Sequence, residues 1–198
     1  QWKKKSREKG PGKVGTESAH TFAQTGVNVN LVDVSTEAIE KGLKTITINL
    51  DRIVAKGNLT EEQKNETLNN ISTFTQLEDA AKNADLIVEA ATENIDLKLK
   101  IFRQMDELAP ENCILATNTS SISITKIASV TQRPEKVIGM HFMNPVPIMK
   151  LVEIIKGYST TKETFDAVYE MSKTLGKVPV EVNDYPGFVA NRILMPMI

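Results

Sequence analysis

Residues 139–155, which read GMHFMNPVPIMKLVEII, constrain the fold of this 198-residue chain more than any other stretch. Two prolines lie in the NPVP segment at residues 144–147. Proline fixes φ and has no amide donor, so this segment is neither helix nor central strand. The apolar runs on either side predict a strand, a rigid turn and a second strand. Such a reversal of the chain would bring Glu153 beside His141.

A histidine backed by a carboxylate is a general base that is held in one tautomer, and its protonated form is stabilised. The alternative for His141 and Glu153 is a loop histidine near a surface glutamate, and this pair alone favours that alternative until the rest of the chain is considered. The chain has two well-separated histidines and one cysteine, so we expect no metal site and no internal disulfide. Apolar neighbours indicate that Cys113 is a buried strand thiol.

A glycine-rich G-x-G-x-x-G motif lies at residues 10–15. An amphipathic helix follows it, ends near Gly26, and leads into an alternating strand that ends in an acid. This order is typical of a dinucleotide site, where glycines admit a pyrophosphate to the helix N-terminus and the acid binds the adenosine ribose. The acid would repel a 2′-phosphate, which favours NAD over NADP, whereas Glu17 is expected to place a negative charge near the pyrophosphate. A glycine-rich turn before an ordinary strand is the alternative; the predicted cofactor ligands are Gly10, Gly12, Gly15 and Asp33.

Strands and helices alternate along the chain, so the sequence predicts an α/β fold with a Rossmann-type, doubly wound, mostly parallel sheet. Two consecutive helices interrupt the alternation. The first begins at Ser35 or Thr36 and ends near Gly57, and the second opens with a capping-box match at Thr60. They predict a helical-hairpin insertion that projects from the sheet and suits a clamp over a long substrate; packing alone is the alternative.

A polar cluster at residues 117–121 follows a predicted strand. Ligands gather at the carboxyl ends of parallel strands, so we expect four polar groups to converge at this edge of the sheet: Glu89, Glu93, Ser120 and His141. The apolar run at residues 85–90 predicts a strand that is buried on both faces.

The last third of the chain contains three further local signals. Residues 160–163 match a capping box, which predicts a helix starting at Thr160. Residues 178–182 predict an edge strand, because Pro179 cannot donate to a ladder. A final helix is predicted from Phe188 onward.

Composition excludes several classes of partner. Hydrophobic residues make up 40% of the chain and charged residues 25%, with a net charge of −1, which is typical of a globular domain. The near-zero charge argues against a broad nucleic-acid or membrane-binding surface, so we expect neither partner. Residues 1–9 are strongly basic and are interpreted as a basic arm or a degraded first strand, since they lack the apolar core of a secretory signal.

Several long segments match one protein family. They lie at residues 22–26, 31–35, 85–94, 114–125, 133–155, 163–168 and 184–198, and the longest reads RPEKVIGMHFMNPVPIMKLVEII. On these segments and the glycine motif, the chain resembles the L-3-hydroxyacyl-CoA dehydrogenases from residue 10 onward. The resemblance implies reversible oxidation of a 3-hydroxyacyl-CoA to a 3-ketoacyl-CoA, with NAD as the cofactor.

The resemblance also implies roles for individual residues. His141 corresponds to the catalytic histidine of the family and Glu153 to its partner, while Ser120 and Asn191 correspond to residues that bind the substrate oxygens. Further residues are implied near the ligands: Glu93 and Lys98 near the cofactor, Asn49 and Lys56 near CoA, and Asn144 together with Ser120 in the substrate site.

The same resemblance implies a domain organisation. Residues 10–183 would form the NAD-binding Rossmann-like domain and residues 184–198 the start of a truncated, all-α C-terminal domain through which the family dimerises. We expect an acyl-CoA substrate and a cytoplasmic location, or the mitochondrial matrix in a eukaryote. Two alternatives stay open: a non-catalytic remnant that binds nucleotide or CoA weakly, and a dehydrogenase of free hydroxy acids.

Overall fold

The structure is a computed structural model, and it describes residues 12–194 apart from the side chain of Leu194. The predictions for residues 1–9 and Gly10 therefore lie outside the described residues. The chain divides into two compact units. One unit holds the described residues up to Ala80 together with Pro145–Ile148, and the other holds Ala81–Asn144 and the described residues from Met149 onward. The predicted domain boundary between residues 183 and 184 stays a prediction.

The first unit places helices around a two-stranded parallel sheet in which Val29 pairs with Ile71. Its elements, in chain order, are α1 (Lys13–Gln24), β1 (Val29–Val32), α2 (Thr36–Ala55), α3 (Glu61–Asn69) and β2 (Ile71–Phe74), after which α4 (Leu77–Ala81) begins. Its core includes a cluster of buried side chains: Ala19, Leu31, Ile46 and Leu50.

Local signals set the helix ends in this unit. Gly26 has a φ of +84° after α1, as expected for the glycine that terminates a helix. Ser35 caps α2 by accepting a hydrogen bond from the amide of Ala38, and Thr60 forms the predicted capping box at α3 with Gln63. The predicted helical pair is confirmed. Because Ile46 and Leu50 are fully buried, helix α2 contributes to the core of the unit.

The second unit contains a five-stranded sheet with the order β3-β4-β5-β6-β7. Its elements are β3 (Leu86–Glu89), α5 (Ile95–Leu108), β4 (Ile114–Thr117), α6 (Ile124–Ala128), a short 3₁₀ turn (Pro134–Lys136), β5 (Val137–Phe142), β6 (Leu151–Lys156), α7 (Lys162–Thr174), β7 (Val178–Asn183) and α8 (Ala190–Leu194). All neighbouring strands are parallel except β5 and β6. The predicted mostly parallel Rossmann-type α/β fold is confirmed.

The antiparallel hairpin of β5 and β6 confirms the predicted reversal at residues 144–147. Its register pairs Gly139 with Ile155 and His141 with Glu153. Gly139 is required by close packing, since a Cβ at this position would lie 2.9 Å from two side-chain atoms of Ile155. The hairpin therefore has a tightly defined register, and this register fixes which side chains face each other.

Three local predictions in this unit are wrong in detail. Helix α7 is capped by Thr161, whose hydroxyl accepts from the amide of Thr164, while Thr160 instead bonds to the backbone of Val137 and Gly157. The last helix begins at Ala190, because Phe188 has a left-handed backbone. Strand β3 is largely half-buried rather than buried, since it lies at the end of its sheet among the described strands.

Candidate active site

His141 and Glu153 lie opposite each other on β5 and β6, and their side chains are in contact. Nδ1 of His141 is 2.7 Å from Oε2 of Glu153. Both side chains are buried, with 7% of His141 and 2% of Glu153 exposed. The predicted proximity of the two groups is confirmed, and the alternative of a surface glutamate is excluded. Both side chains of the pair are therefore largely shielded from solvent.

The second oxygen of Glu153 is held by the backbone that enters α8. Oε1 accepts hydrogen bonds from the amides of Val189 at 3.1 Å and Ala190 at 2.8 Å. Burial alone would raise the pKa of Glu153, but the hydrogen bonds from His141, Ala190 and Val189 reverse this effect and the pKa falls below its usual value. Both oxygens of the Glu153 carboxylate are therefore engaged by donors.

The ionised state of Glu153 defines the tautomer of His141. A carboxylate can only accept hydrogen bonds, so Nδ1 of His141 carries the proton and Nε2 carries the free lone pair. Within residues 12–194, Nε2 makes no hydrogen bond. The imidazole is therefore oriented as a proton acceptor through Nε2, with a fixed negative charge behind Nδ1.

A second polar group is built around the carboxylate of Glu93. Oε1 of Glu93 accepts from the amide of Ser120 at 2.5 Å and from its hydroxyl at 2.9 Å, and Oε2 accepts from Thr119 at 2.7 Å. Partial burial would raise the pKa of Glu93, yet these hydrogen bonds and the charge of Lys98 lower it. Since Ser120 donates its hydroxyl hydrogen to Glu93, the lone pairs of that hydroxyl remain available to accept a hydrogen bond.

Lys98, which we predicted to lie near the cofactor, is only 1% exposed. Its Nζ donates to Oε1 of Glu89 at 2.8 Å, to Oε2 of Glu89 at 2.9 Å and to the carbonyl of Ala91 at 3.2 Å. These bonds use all three ammonium hydrogens. Thr117 donates to Glu89 at 2.7 Å, so the buried pair is anchored to β4. Nζ of Lys98 also lies 3.9 Å from Oε2 of Glu93, so Lys98 acts on Glu93 as a buried positive charge.

The four groups expected at the sheet edge are only partly joined. Glu93 bonds directly to Ser120, and Glu89 reaches them through Lys98, whereas His141 makes no hydrogen bond to these groups among the described residues. Asn191 of α8 donates from Nδ2 to the carbonyl of Ser120 at 3.0 Å. Asn144 is exposed three residues after His141, and its predicted role in substrate binding stays a prediction.

Sequence reasoning missed the side chain of Asn118 and the backbone donors of Val189 and Ala190. Oδ1 of Asn118 accepts from the amide of Phe142 at 2.8 Å and so ties the end of β4 to the end of β5. A signal for Asn118 was present, because it lies inside the polar cluster at residues 117–121. No side-chain pattern identifies a backbone donor.

The first unit supplies the groups that a dinucleotide needs. Gly12 is the N-cap residue of α1 and provides no side-chain cap, and no acidic residue lies in the first turn of α1. Asp33 follows β1, and its Oδ1 accepts from the amide of Ser35 at 2.9 Å. Its Oδ2 has no partner in the described part of the chain. Free helix amides suit a pyrophosphate, and a carboxylate oxygen suits a ribose diol, so these residues fit NAD.

The expectation for Glu17 is wrong. Its side chain is buried, with Oε2 accepting from the amide of Val146 at 2.7 Å and Oε1 lying 3.8 Å from Nζ of Lys13. Glu17 lies in the second turn of α1, so it does not cap the first turn. Its carboxylate is engaged by other groups of the same unit.

The two residues predicted to contact CoA lie on α2 and its C-terminal end. Asn49 is half-buried in the helix, and Lys56 is the exposed C-cap residue. They are seven positions apart (56 − 49 = 7), which is two helical turns, so they share one face of the helix. Their role stays a prediction.

Two other features are absent from residues 12–194. Residues 12–194 contain no group of three or more histidine, cysteine, aspartate or glutamate side chains arranged to hold a metal ion. Over the same residues, no helix combines the length and the apolar character that a bilayer span requires.

Comparison with known proteins places this chain among the NAD-dependent oxidoreductases. The family described as "3-hydroxyacyl-CoA dehydrogenase, NAD binding domain" matches residues 9–185. The chain therefore belongs to the 3-hydroxyacyl-CoA dehydrogenase family, and the cofactor of its matched domain is NAD.

Individual relatives agree with this assignment. The 3-hydroxybutyryl-CoA dehydrogenase of Clostridioides difficile is 52% identical over 189 residues, which cover 96% of this chain and 67% of the relative. The human mitochondrial hydroxyacyl-coenzyme A dehydrogenase is 42% identical over 193 residues, covering 94% and 61%. The crystal structure of (S)-3-hydroxybutyryl-CoA dehydrogenase from Ralstonia eutropha superposes with a TM-score of 0.92 at 50% identity, covering 95% and 66%. The chain thus spans 61–67% of the length of these three relatives.

Proposed function

We propose that this chain catalyses the reversible, NAD-dependent oxidation of a 3-hydroxyacyl-CoA, such as 3-hydroxybutyryl-CoA, to the 3-ketoacyl-CoA. The observation that carries the proposal is the buried contact of 2.7 Å between His141 and Glu153 in a member of this family. The names of the relatives, which are 3-hydroxybutyryl-CoA and hydroxyacyl-CoA dehydrogenases, support the substrate class.

His141 is the general base of the proposed reaction. The C3 hydroxyl of the substrate must lose its proton as C3 loses a hydride, and Nε2 of His141 is the free acceptor. The resulting imidazolium is stabilised by the carboxylate of Glu153 in a buried site, where an opposite charge acts more strongly than in water. In the reverse direction the same imidazolium returns the proton to the carbonyl oxygen.

Ser120 and Asn191 orient the substrate. The single proton of the C3 hydroxyl goes to His141, so Ser120 would turn its hydroxyl hydrogen from Glu93 to donate to the substrate oxygen. Asn191 is fixed by its bond to the carbonyl of Ser120. Holding C3 at a fixed distance and angle is an orientation effect that lowers the barrier without new chemistry. When bound, NAD accepts the hydride that leaves C3.

The cofactor and CoA would be held by residues of the first unit. Gly12 and Gly15 leave room for the pyrophosphate at the start of α1, and Asp33 would bind the ribose. Asn49 and Lys56 would contact CoA from one face of α2. Homodimerisation, which the family resemblance implies, belongs to the same proposal.

The test is the loss of NADH absorbance when the chain is mixed with acetoacetyl-CoA. We expect turnover with acetoacetyl-CoA and none with acetoacetate at equal concentration. Equal turnover of both compounds would assign the chain to the dehydrogenases of free hydroxy acids. Calorimetric binding of NADH and acetoacetyl-CoA without turnover would support the non-catalytic remnant instead.

A further inference from the structure

The residues just before α8 contact both members of the His141–Glu153 pair. Val189 and Ala190 donate their amides to Oε1 of Glu153, as described above. The ring of Phe188 packs against the imidazole of His141, with ring centroids 6.0 Å apart and planes tilted by 57°. Phe188 is itself only 2% exposed. Phe188 therefore contacts the imidazole of His141 with its side chain, and the two residues that follow it donate their amides to Glu153.

Phe188 has an unusual backbone conformation. Its φ is +50°, and it is the only non-glycine residue with a positive φ among residues 12–194. The left-handed region is unfavourable for a residue that has a Cβ, and such strain persists where the surrounding structure fixes it, often at functional sites. Gly187, with a φ of +76°, precedes it. Two successive left-handed residues turn the chain, and the next two amides, those of Val189 and Ala190, meet one carboxylate oxygen.

The ring of Phe188 also bears on the hydrogen bond between His141 and Glu153. A hydrogen bond to a charged group is electrostatically stronger when water is excluded, because the local dielectric is lower. The aromatic ring occupies space beside the imidazole that water would otherwise enter. The side chain and the backbone of Phe188 therefore act on the same pair in two separable ways.

We propose that Phe188 is a positioning residue for the His141–Glu153 pair: its left-handed backbone aims two amides at Glu153, and its ring keeps water away from the pair. The effect of Phe188 on turnover rests on the proposed function. Its effect on the hydrogen bond of His141 does not, since that bond exists without substrate.

Two variants separate the two actions. Phe188→Gly removes the ring but adopts a positive φ freely, so the turn is retained. Phe188→Ala also removes the ring, and its Cβ makes the left-handed conformation unfavourable. The two variants differ only by this Cβ. Phe165→Ala, which removes a half-buried phenylalanine from α7 in the same unit, is the control for the general loss of an aromatic ring.

The measurement is the exchange of the Nδ1 proton of His141 with water, followed by NMR of imidazole nitrogens. Only His20 gives a second imidazole signal, and the His141→Gln variant identifies which one belongs to His141. We expect exchange to be roughly tenfold faster in Phe188→Gly, the factor that corresponds to weakening one hydrogen bond to a charged acceptor. Exchange should be faster still in Phe188→Ala and unchanged in Phe165→Ala.

Each outcome is decisive for one part of the proposal. Unchanged exchange in Phe188→Gly overturns the role of the ring, and equal exchange in the glycine and alanine variants overturns the role of the backbone. Faster exchange in a chain that does not reduce acetoacetyl-CoA would leave this inference standing while the proposed function fails. Normal turnover with unchanged exchange in both variants would overturn this inference and leave the proposed function standing.

Discussion

Lys98 and Glu89 form an ion pair that is almost completely removed from solvent, with Nζ of Lys98 2.8 Å from Oε1 and 2.9 Å from Oε2 of Glu89. Thr117 and the amide of Ala91 donate to the same carboxylate. Two charges are stable in such a place only when each satisfies the other, because the loss of hydration is large. The pair therefore has consequences for stability that differ from those of a surface ion pair.

We expect Lys98→Met to lower the free energy of unfolding by about 3–5 kcal/mol, since it leaves the Glu89 carboxylate buried without its cation. The double variant Lys98→Met with Glu89→Leu should recover much of this loss, because no charge then remains to be desolvated. Urea unfolding measures both.

A matched control for this experiment is Lys162→Met, which breaks an exposed ion pair with Asp166 on α7. Its effect should stay within about 1 kcal/mol. Glu89→Leu alone completes the set. If the double variant loses the sum of the Lys98→Met and Glu89→Leu effects, the two side chains are not energetically coupled and the interpretation is wrong.

The second prediction concerns the charge behind His141, the proposed general base. Glu153→Gln keeps the size of the side chain but has one acceptor oxygen where Glu153 uses two, and it removes the charge that stabilises the imidazolium. We expect kcat to fall by about 10²–10⁴-fold, the usual contribution of general-base catalysis, with KM for NADH within about threefold of the parent value. Steady-state kinetics with acetoacetyl-CoA provides the measurement.

Glu181→Gln is the matched control for this substitution, because Glu181 lies on β7 in an exposed ion pair with Lys156. It should leave kcat unchanged. Near-normal turnover of Glu153→Gln would remove the His141–Glu153 pair from the mechanism.

Features fixed by local chemistry could be predicted from the sequence. The prolines at residues 144–147 determined the reversal, and with it the approach of Glu153 to His141, because proline excludes both helix and ladder whatever surrounds it. The capping box at Thr60 was equally local. At α7 the capping-box pattern selected Thr160, but the hydroxyl of Thr160 bonds to the backbone of Val137 and Gly157, and Thr161 caps the helix instead.

Features fixed by distant contacts could not be predicted. On α5, the buried face includes Lys98 beside Ile101, Phe102 and Met105. A lysine is almost never buried unless it is paired, and the partner, Glu89, lies on another element. The start of the last helix was predicted at Phe188 for the same reason. The ring of Phe188 packs against His141, and the next two amides bond to Glu153, and none of these contacts is local.

The third prediction follows from the pKa of Glu153. Its hydrogen bonds hold the pKa in the folded chain below the unfolded value of about 4.3. The unfolded chain therefore binds more protons in the window between the two values. The stabilisation from this carboxylate is complete above about pH 4.3 and is lost as the pH falls through the folded pKa.

Urea unfolding over a pH series tests this expectation. The difference in the free energy of unfolding between the parent chain and Glu153→Gln should narrow as the pH falls below about 4, because the parent loses the carboxylate that the variant already lacks. A difference that stays constant down to the acid limit of folding would show that Glu153 is not stabilised as an ion.

The last prediction concerns Gly139, two residues before His141 on β5. A Cβ at this position would lie 2.9 Å from Cβ and from Cδ1 of Ile155 and 3.0 Å from Cδ1 of Ile124. Gly139→Ala should therefore lower the free energy of unfolding by about 1–3 kcal/mol through overpacking. Ile155→Val removes the Cδ1 contact but leaves the Cβ contact, so Gly139→Ala with Ile155→Val should recover only part of the loss in urea unfolding. Complete recovery would place the steric conflict at Cδ1 alone, and no loss in Gly139→Ala would contradict the close approach of β5 and β6 that sets the register of His141 against Glu153.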